Sequence, residues 1–305
     1  MRTSTTALLS LLASSAAALA PPNYPGCKTL WSDSFMGSSG DIPSRANWKT
    51  ITNFRVNNEV QDYVDSTRNI QISGGGTVQL IPVKDANGRW TSGRLESTYT
   101  FTPEAGKVTA VEAVLRFGDN DQSNKKGMWP AFWLLGDSMR HGTPWPQCGE
   151  IDIMETVNGS PKAYGTLHCG WMGGGPCNEP IGRATETPLA DYGWHRWTVQ
   201  IDRTNAADWR AERIQWFLDG HVFNTVTGAD IGDQAVWSTL AHSPLYIIMN
   251  VAVGGNWPGN PDAATLGSWG SMMEVEYVSV FQQQQTSHPR PGRPGGPGWN
   301  NEGAV

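Results

Sequence analysis

Between Asn23 and Gln282 the chain divides into short β-prone runs, each closed by turn residues within about ten positions. This spacing constrains the fold more than any other feature. "TVQLIPV", "RLESTYTFT", "VTAVEAVLRF", "AFWLLG", "EIDIMETV", "WHRWTVQID", "RIQWFLDG", "PLYIIMNVAV" and "MEVEYVSVF" are the clearest, and no convincing amphipathic helix interrupts them. The expected class is all-β, a sandwich or jelly roll of two antiparallel sheets. Thirty-five glycines and 20 prolines supply the turns such a fold needs. "DIGDQAVWSTLA" reads as the one place for a helical turn. "MEVEYVSVF" reads as a final strand with Val275, Tyr277, Ser279 and Phe281 on one face.

The ends have a different texture. Residues 1–20 place Arg2 before an apolar stretch and close on Ala18-Leu19-Ala20, the pattern of an export signal, so a secreted, extracellular protein is expected. Residues 283–305 are rich in Gln, Pro and Gly, cannot bury a core, and are expected to be a disordered tail. One domain over residues 21–282 remains. A net charge of -6 with no basic run argues against nucleic acid or an anionic membrane as a partner, and a monomer is expected. Export and an even count of four cysteines predict two disulfides. Cys169 and Cys177 flank a glycine-rich loop that a local bridge would close, which leaves Cys27 with Cys148 by elimination.

The stretch "CGEIDIMET" contains a conflict. In a regular strand Glu150 and Asp152 share one face, whereas Glu155 falls on the other with Ile151 and Ile153. A lone carboxylate in the core costs several kcal/mol, on the order of the usual burial penalty. A β-bulge resolves it: if Ile153 and Met154 together occupy one step, Glu155 returns to the face of Glu150 and Asp152. The outer two acids then have Cα atoms about 13 Å apart, which long side chains can partly close. Carboxyl pairs about 5 to 5.5 Å apart carry out glycoside hydrolysis with retention, and the shorter gap is the easier to reach with Asp152 between them. Three acids this close cannot all ionise freely, so at least one is expected to keep its proton near neutral pH, as a general acid must.

"GEIDIME" resembles the E-x-D-x-x-E signature of glycoside hydrolase family 16, the laminarinase-like β-glycanases. "NNEVQDY", "TSGRLES", "GMWPAFWLLG", "GTLHCG", "WFLDG", "NVAVGGNWPG" and "EVEYVSVF" resemble blocks of that family in the same order. The resemblance implies a jelly roll of the concanavalin A-like lectin and glucanase type, with a polysaccharide cleft along one sheet. It implies Glu150 as nucleophile, Glu155 as acid/base and Asp152 as the residue that modulates both. The bulged spacing is the form associated with laminarinases and galactan-cleaving relatives. The expected activity is endo-hydrolysis of β-1,3-linked polysaccharide, β-1,3-glucan first. Alternatives are β-1,3-galactan, mixed-linkage glucan, transglycosylation, and a non-catalytic glucan-binding module on the same fold.

Pyranose rings stack on aromatic side chains and present hydroxyl edges to polar ones. By the same resemblance Trp129 and Trp133 are candidates for the cleft, with core packing as the competing role. Asn57, in a block with Glu59, is a sugar contact or a turn residue. His168 reaches substrate or the acid/base, or is a satisfied buried histidine. Trp257 is a rim residue or packs on Pro258. Asn158-Gly159-Ser160 is a glycosylation sequon close to the site. Members of the family often carry a structural calcium through an Asp in the last strand. Glu276 occupies that place here and weakens the case for it, so no metal or cofactor is expected. The "GGGPCNEP" loop resembles fungal branches of the family.

Overall fold

The computed structural model describes residues 20–283, and the export signal and the tail lie outside them apart from their boundary residues. Two large antiparallel sheets face each other. One has seven strands in the order Arg183–Pro188, Lys162–His168, Glu150–Glu155, Met128–Gly136, Leu245–Val253, Arg94–Phe101 and Trp48–Thr50. The other has eight: His221–Thr227, Arg213–Leu218, His195–Asp202, Val108–Phe117, Met273–Gln283, Val78–Leu80 and Ile70–Ile72, with Cys27–Asp33 also paired to Met273–Gln283. Gln61–Tyr63, Trp90–Ser92 and Val83–Lys84 form a small third sheet.

Alternation decides what fills the space between the layers. Phe132, Leu134, Ile151, Leu167, Ile247, Met249 and Val251 of the seven-stranded sheet meet Val111, Ala113, Leu115, Val199, Ile201 and Trp216 of the other in one buried core. Burial of each such side chain contributes about 1.5–3 kcal/mol. The outward residues of the seven-stranded sheet, among them Trp133, Asn250 and His168, are left to form a surface.

Three expectations need correction. The last strand carries its own bulge between Val275 and Tyr277, so the inward set is Met273, Val275, Val278 and Val280. Tyr277 is turned to the opposite face, where its hydroxyl donates to Glu112 at 2.7 Å. One extra residue, Glu276, exchanges the two faces. Second, the stretch expected to hold a helical turn holds the end of one short helix, Gly228–Ile231, and a longer one, Gln234–Ala241. Each is capped by a side chain, Thr227 and Asp233 respectively.

The third concerns the cysteines. Cys169 and Cys177 are bridged, with Cα atoms 5.3 Å apart. Cys27 and Cys148 are free thiols, not a disulfide. Cys27 begins a strand of the eight-stranded sheet, whereas Cys148 packs with Leu135, Tyr246 and Ile248 on the outer face of the seven-stranded one. The core lies between them, and a disulfide requires Cα atoms within about 7 Å.

Candidate active site

The strand Glu150–Glu155 is bulged as its acids require. Against Met128–Gly136, Trp133 pairs with Asp152 and Phe132 with Met154, leaving Ile153 as the extra residue. Against Lys162–His168, Asp152 pairs with Thr166 and Glu155 with Tyr164, so Ile153 and Met154 together oppose Gly165. Both are fully buried in the core, and Glu150, Asp152 and Glu155 share the outer face.

The bulge is tied to the opposite sheet. The indole N–H of Trp216, itself fully buried, donates across the core to the Asp152 carbonyl at 2.8 Å. Gly165 permits this approach, since a Cβ there would lie 2.6 Å from Trp216 Cδ1.

Glu155 Oε1 accepts the indole N–H of Trp129 at 2.9 Å. Trp257 stands edge-on to Trp129 and to Tyr164, with ring centroids 5.6 and 5.1 Å away. Asn57 sits beside this group in a left-handed conformation, its carbonyl accepting Asn256 N–H at 2.8 Å. Glu59 is buried and accepts from Gln61 at 2.7 Å. Trp133 donates to Asn250 Oδ1 at 2.8 Å and lies 5.0 Å beneath the Arg94 guanidinium. All five expected contact residues, Asn57, Trp129, Trp133, His168 and Trp257, therefore border or enter the carboxylate face.

His168 faces two of the acids. Its Nε2 is 3.7 Å from Asp152 Oδ2 and 3.9 Å from Glu150 Oε1, and its Nδ1 is 2.7 Å from Glu179 Oε2. Glu179 is inaccessible to solvent, and its other oxygen accepts the Cys169 N–H at 2.7 Å. Sequence reasoning did not single out Glu179, Arg94, Asn250, Tyr164 or Trp216. The first stands in the "GGGPCNEP" loop, and only the fold-back of the disulfide loop brings it under His168.

Burial pushes the Glu150 carboxyl up to about 7, with the neighbouring Glu155 adding to it while His168 and Arg94 oppose it. Burial raises Asp152 further above its usual range, helped by Glu155 and Glu150. Its Oδ2 is buried without a hydrogen-bond partner, which disfavours a charge there. Glu155 is raised by burial too, against the Trp129 N–H. For His168, burial favours the neutral ring, but the Glu179 bond and Glu150 outweigh it and its pKa ends raised. Such coupled groups titrate as a set. When Glu155 holds a proton its repulsion of Glu150 vanishes, which lowers the Glu150 pKa in the same direction as His168 and Arg94 do.

Donor atoms of Glu150, Asp152 and His168 come within 4.8 Å of one another. That could hold a cation, yet His168 is already oriented by Glu179 and the two acids are among the three that share the outer face.

Comparison with known proteins agrees with this geometry. A family model described as "XgeA-like, catalytic GH16 domain" matches residues 82–182. The chain is similar to a solved endo-1,3-beta-glucanase from Streptomyces sioyaensis, with TM-score 0.82 and 35% identity, covering 88% of this chain and 100% of that one. It is 29% identical to glucan endo-1,3-beta-glucosidase A1 of Niallia circulans and 30% identical to the clotting factor G alpha subunit of Tachypleus tridentatus, over 86% and 87% of this chain. It spans only 39% and 35% of those two proteins' lengths. With the sandwich fold and the bulged acid strand, these likenesses establish that the chain belongs to glycoside hydrolase family 16.

Proposed function

We propose that this chain is a retaining endo-glycosidase acting on β-1,3-linked polysaccharide, with β-1,3-glucan as the first substrate. The observation that carries the reading is the bulge at Ile153 and Met154, which gathers three carboxyls onto one face. The names of the Streptomyces and Niallia relatives support glucan.

In this mechanism the ionised Glu150 carboxylate attacks the anomeric carbon while protonated Glu155 gives its proton to the departing glycosidic oxygen. The first half yields a glycosyl ester on Glu150 and a free reducing-end fragment. Glu155, now a carboxylate, takes a proton from water, which attacks the same carbon and releases Glu150 with net retention. Asp152 stays neutral between them and donates to the nucleophile, keeping it oriented. His168 and Arg94 lower Glu150's pKa, which favours the charge the nucleophile needs. Trp129 fixes the Glu155 side chain at the end of the bulge.

The unit that carries this activity is residues 21–282, working as a monomer. Its Cys169–Cys177 disulfide suits an oxidising compartment outside the cell. The test is hydrolysis of laminarin by wild type, Glu150→Ala and Glu155→Gln, with proton NMR of the first-formed anomer. Wild type should release the β-anomer and both variants should lose about 10²-fold or more. Wild-type rates in both variants would remove the assignment. A panel adding mixed-linkage glucan and β-1,3-galactan decides the sugar, since glucose and galactose differ at one hydroxyl that a few contacts read.

A further inference from the structure

Four tryptophans are exposed among the described residues: Trp171, Trp194, Trp257 and Trp269. Trp257 stands at the carboxylate face, and Trp171 lies in the disulfide loop after His168. Trp194 and Trp269 are elsewhere, 42% and 53% exposed, at two ends of one polar row on the outer face of the eight-stranded sheet.

The row runs across neighbouring strands. Glu274 pairs in register with Gln79 on one side and Arg116 on the other, and Gln71 pairs with Gln79. Their sequence neighbours Val78, Leu80, Met273, Val275, Leu115 and Phe117 fill the core, so these polar residues point outward. Glu274 accepts from Arg116 at 2.7 Å, Gln79 at 3.1 Å and Thr77 at 2.6 Å. The indole N–H of Trp269 donates to Gln79 at 3.3 Å, and the Arg116 guanidinium lies 5.0 Å from the Trp194 ring.

Both indoles are held in place by backbone. Gly118 N–H to Met272 and Asn120 N–H to Gly270 clamp the turn carrying Trp269, and Phe117 N–H to Tyr192 clamps the segment before Trp194. Two large rings at one ordered polar row offer flat apolar faces that a flat, amphipathic ligand can cover. Four strands at a spacing of about 4.8 Å span about 14 Å, on the scale of a few linked sugar rings. The centre of the row is neutral as a pair, Arg116 with Glu274, and rich in donors and acceptors. That suits an uncharged polyhydroxyl chain better than an apolar protein surface, which would leave the ion pair buried.

We propose that this face is a second, non-catalytic binding site for a β-glucan chain. Trp194 and Trp269 stack on pyranose faces, and Gln71 and Arg116 bond to hydroxyl edges, while buried Gln79 ties the row together. The choice of glucan rests on the function proposed above. A site on the far side of the molecule from the acids would hold the protein on an insoluble polymer and raise the local concentration of chains at the groove.

The experiment measures binding to insoluble β-1,3-glucan in a Glu150→Ala, Trp129→Ala background, which removes hydrolysis and weakens the groove so that the remaining binding reports the far face. Adding Trp194→Ala and Trp269→Ala should weaken the remaining binding by roughly tenfold, a few-fold for each stacking ring removed. With Glu150 and Trp129 intact, the Trp194→Ala, Trp269→Ala variant should cleave a short soluble β-1,3-gluco-oligosaccharide at the wild-type rate and the insoluble polymer several-fold more slowly. A second variant, Gln71→Ala with Arg116→Ala, keeps both indoles and should also weaken binding. Wild-type binding by both variants overturns the proposal, as does an equal loss on soluble and insoluble substrate. Binding of the polymer without hydrolysis by the intact chain sinks the proposed activity and leaves this site standing.

Discussion

Trp216→Phe tests whether the bulge is held from across the core. The substitution removes the indole N–H that reaches the Asp152 carbonyl at 2.8 Å and takes volume from a fully buried site. A buried carbonyl deprived of its donor costs about 1–3 kcal/mol. The smaller ring leaves a void costing about 1–2 kcal/mol more, well below the 3–5 of a full truncation. The expected loss is therefore about 2–5 kcal/mol of the 5–15 typical of such a domain. Glu155 lies just beyond the freed bulge, and a displacement near 1 Å of a reacting group costs about 10²-fold. We expect kcat on laminarin to fall by about 10–100-fold with KM little changed, and urea unfolding followed by circular dichroism to report the stability. The control is Trp237→Phe. Trp237 is also fully buried, but its indole N–H donates to the Glu212 side chain at 2.7 Å and not to the acid strand, so it should lose similar stability and keep kcat. Equal kcat in the two variants would refute the idea that Trp216 sets the bulge.

Asp152→Asn keeps a neutral donor beside Glu150, so kcat should fall only a few-fold, while the loss of stability as pH rises should shrink. The acids' folded pKa values are raised, so the folded state binds more protons and stability falls from the ordinary carboxyl range of about 4 up to about 7. A neutral amide removes part of that fall, and parallel melting-temperature curves from pH 4 to 8 would contradict it. Glu179→Gln should destabilise mostly below the unfolded histidine pKa of about 6.5. The raised His168 pKa contributes stability at low pH that is lost as pH rises through it, so a pH-independent difference between variant and wild type would refute the link. Asn158 should carry no glycan by intact-mass measurement even from a glycosylating host. Its side chain accepts from Gly127 N–H at 2.6 Å and donates to the Pro258 carbonyl at 3.2 Å. Titration of the unreduced, denatured chain should count two thiols, Cys27 and Cys148.

The strand pattern was legible because alternation and turn chemistry act over a few residues. The two bulges were not equally legible. Around Ile153 regular alternation would bury Glu155, a conflict visible in nine residues. Around Glu276 both sets of candidates, Val278 and Val280 or Tyr277 and Phe281, are apolar enough for a core. Nothing local penalises the wrong one, and only packing against Glu112 and the opposite sheet chose. The cysteine error has the same origin, since an even count says nothing about which thiols meet.

What the sequence alone determined is the sandwich of short strands and the gathering of Glu150, Asp152 and Glu155 on one face, because a period of two and the cost of a buried carboxylate are local physics. Tertiary structure decided the rest. Trp216 reaches the bulge from the facing sheet, Glu179 is brought under His168 by the disulfide loop, and Trp194 and Trp269 meet one polar row from segments 75 residues apart in the chain. Each contact depends on which distant segments the closed sandwich sets side by side, and no local pattern encodes that.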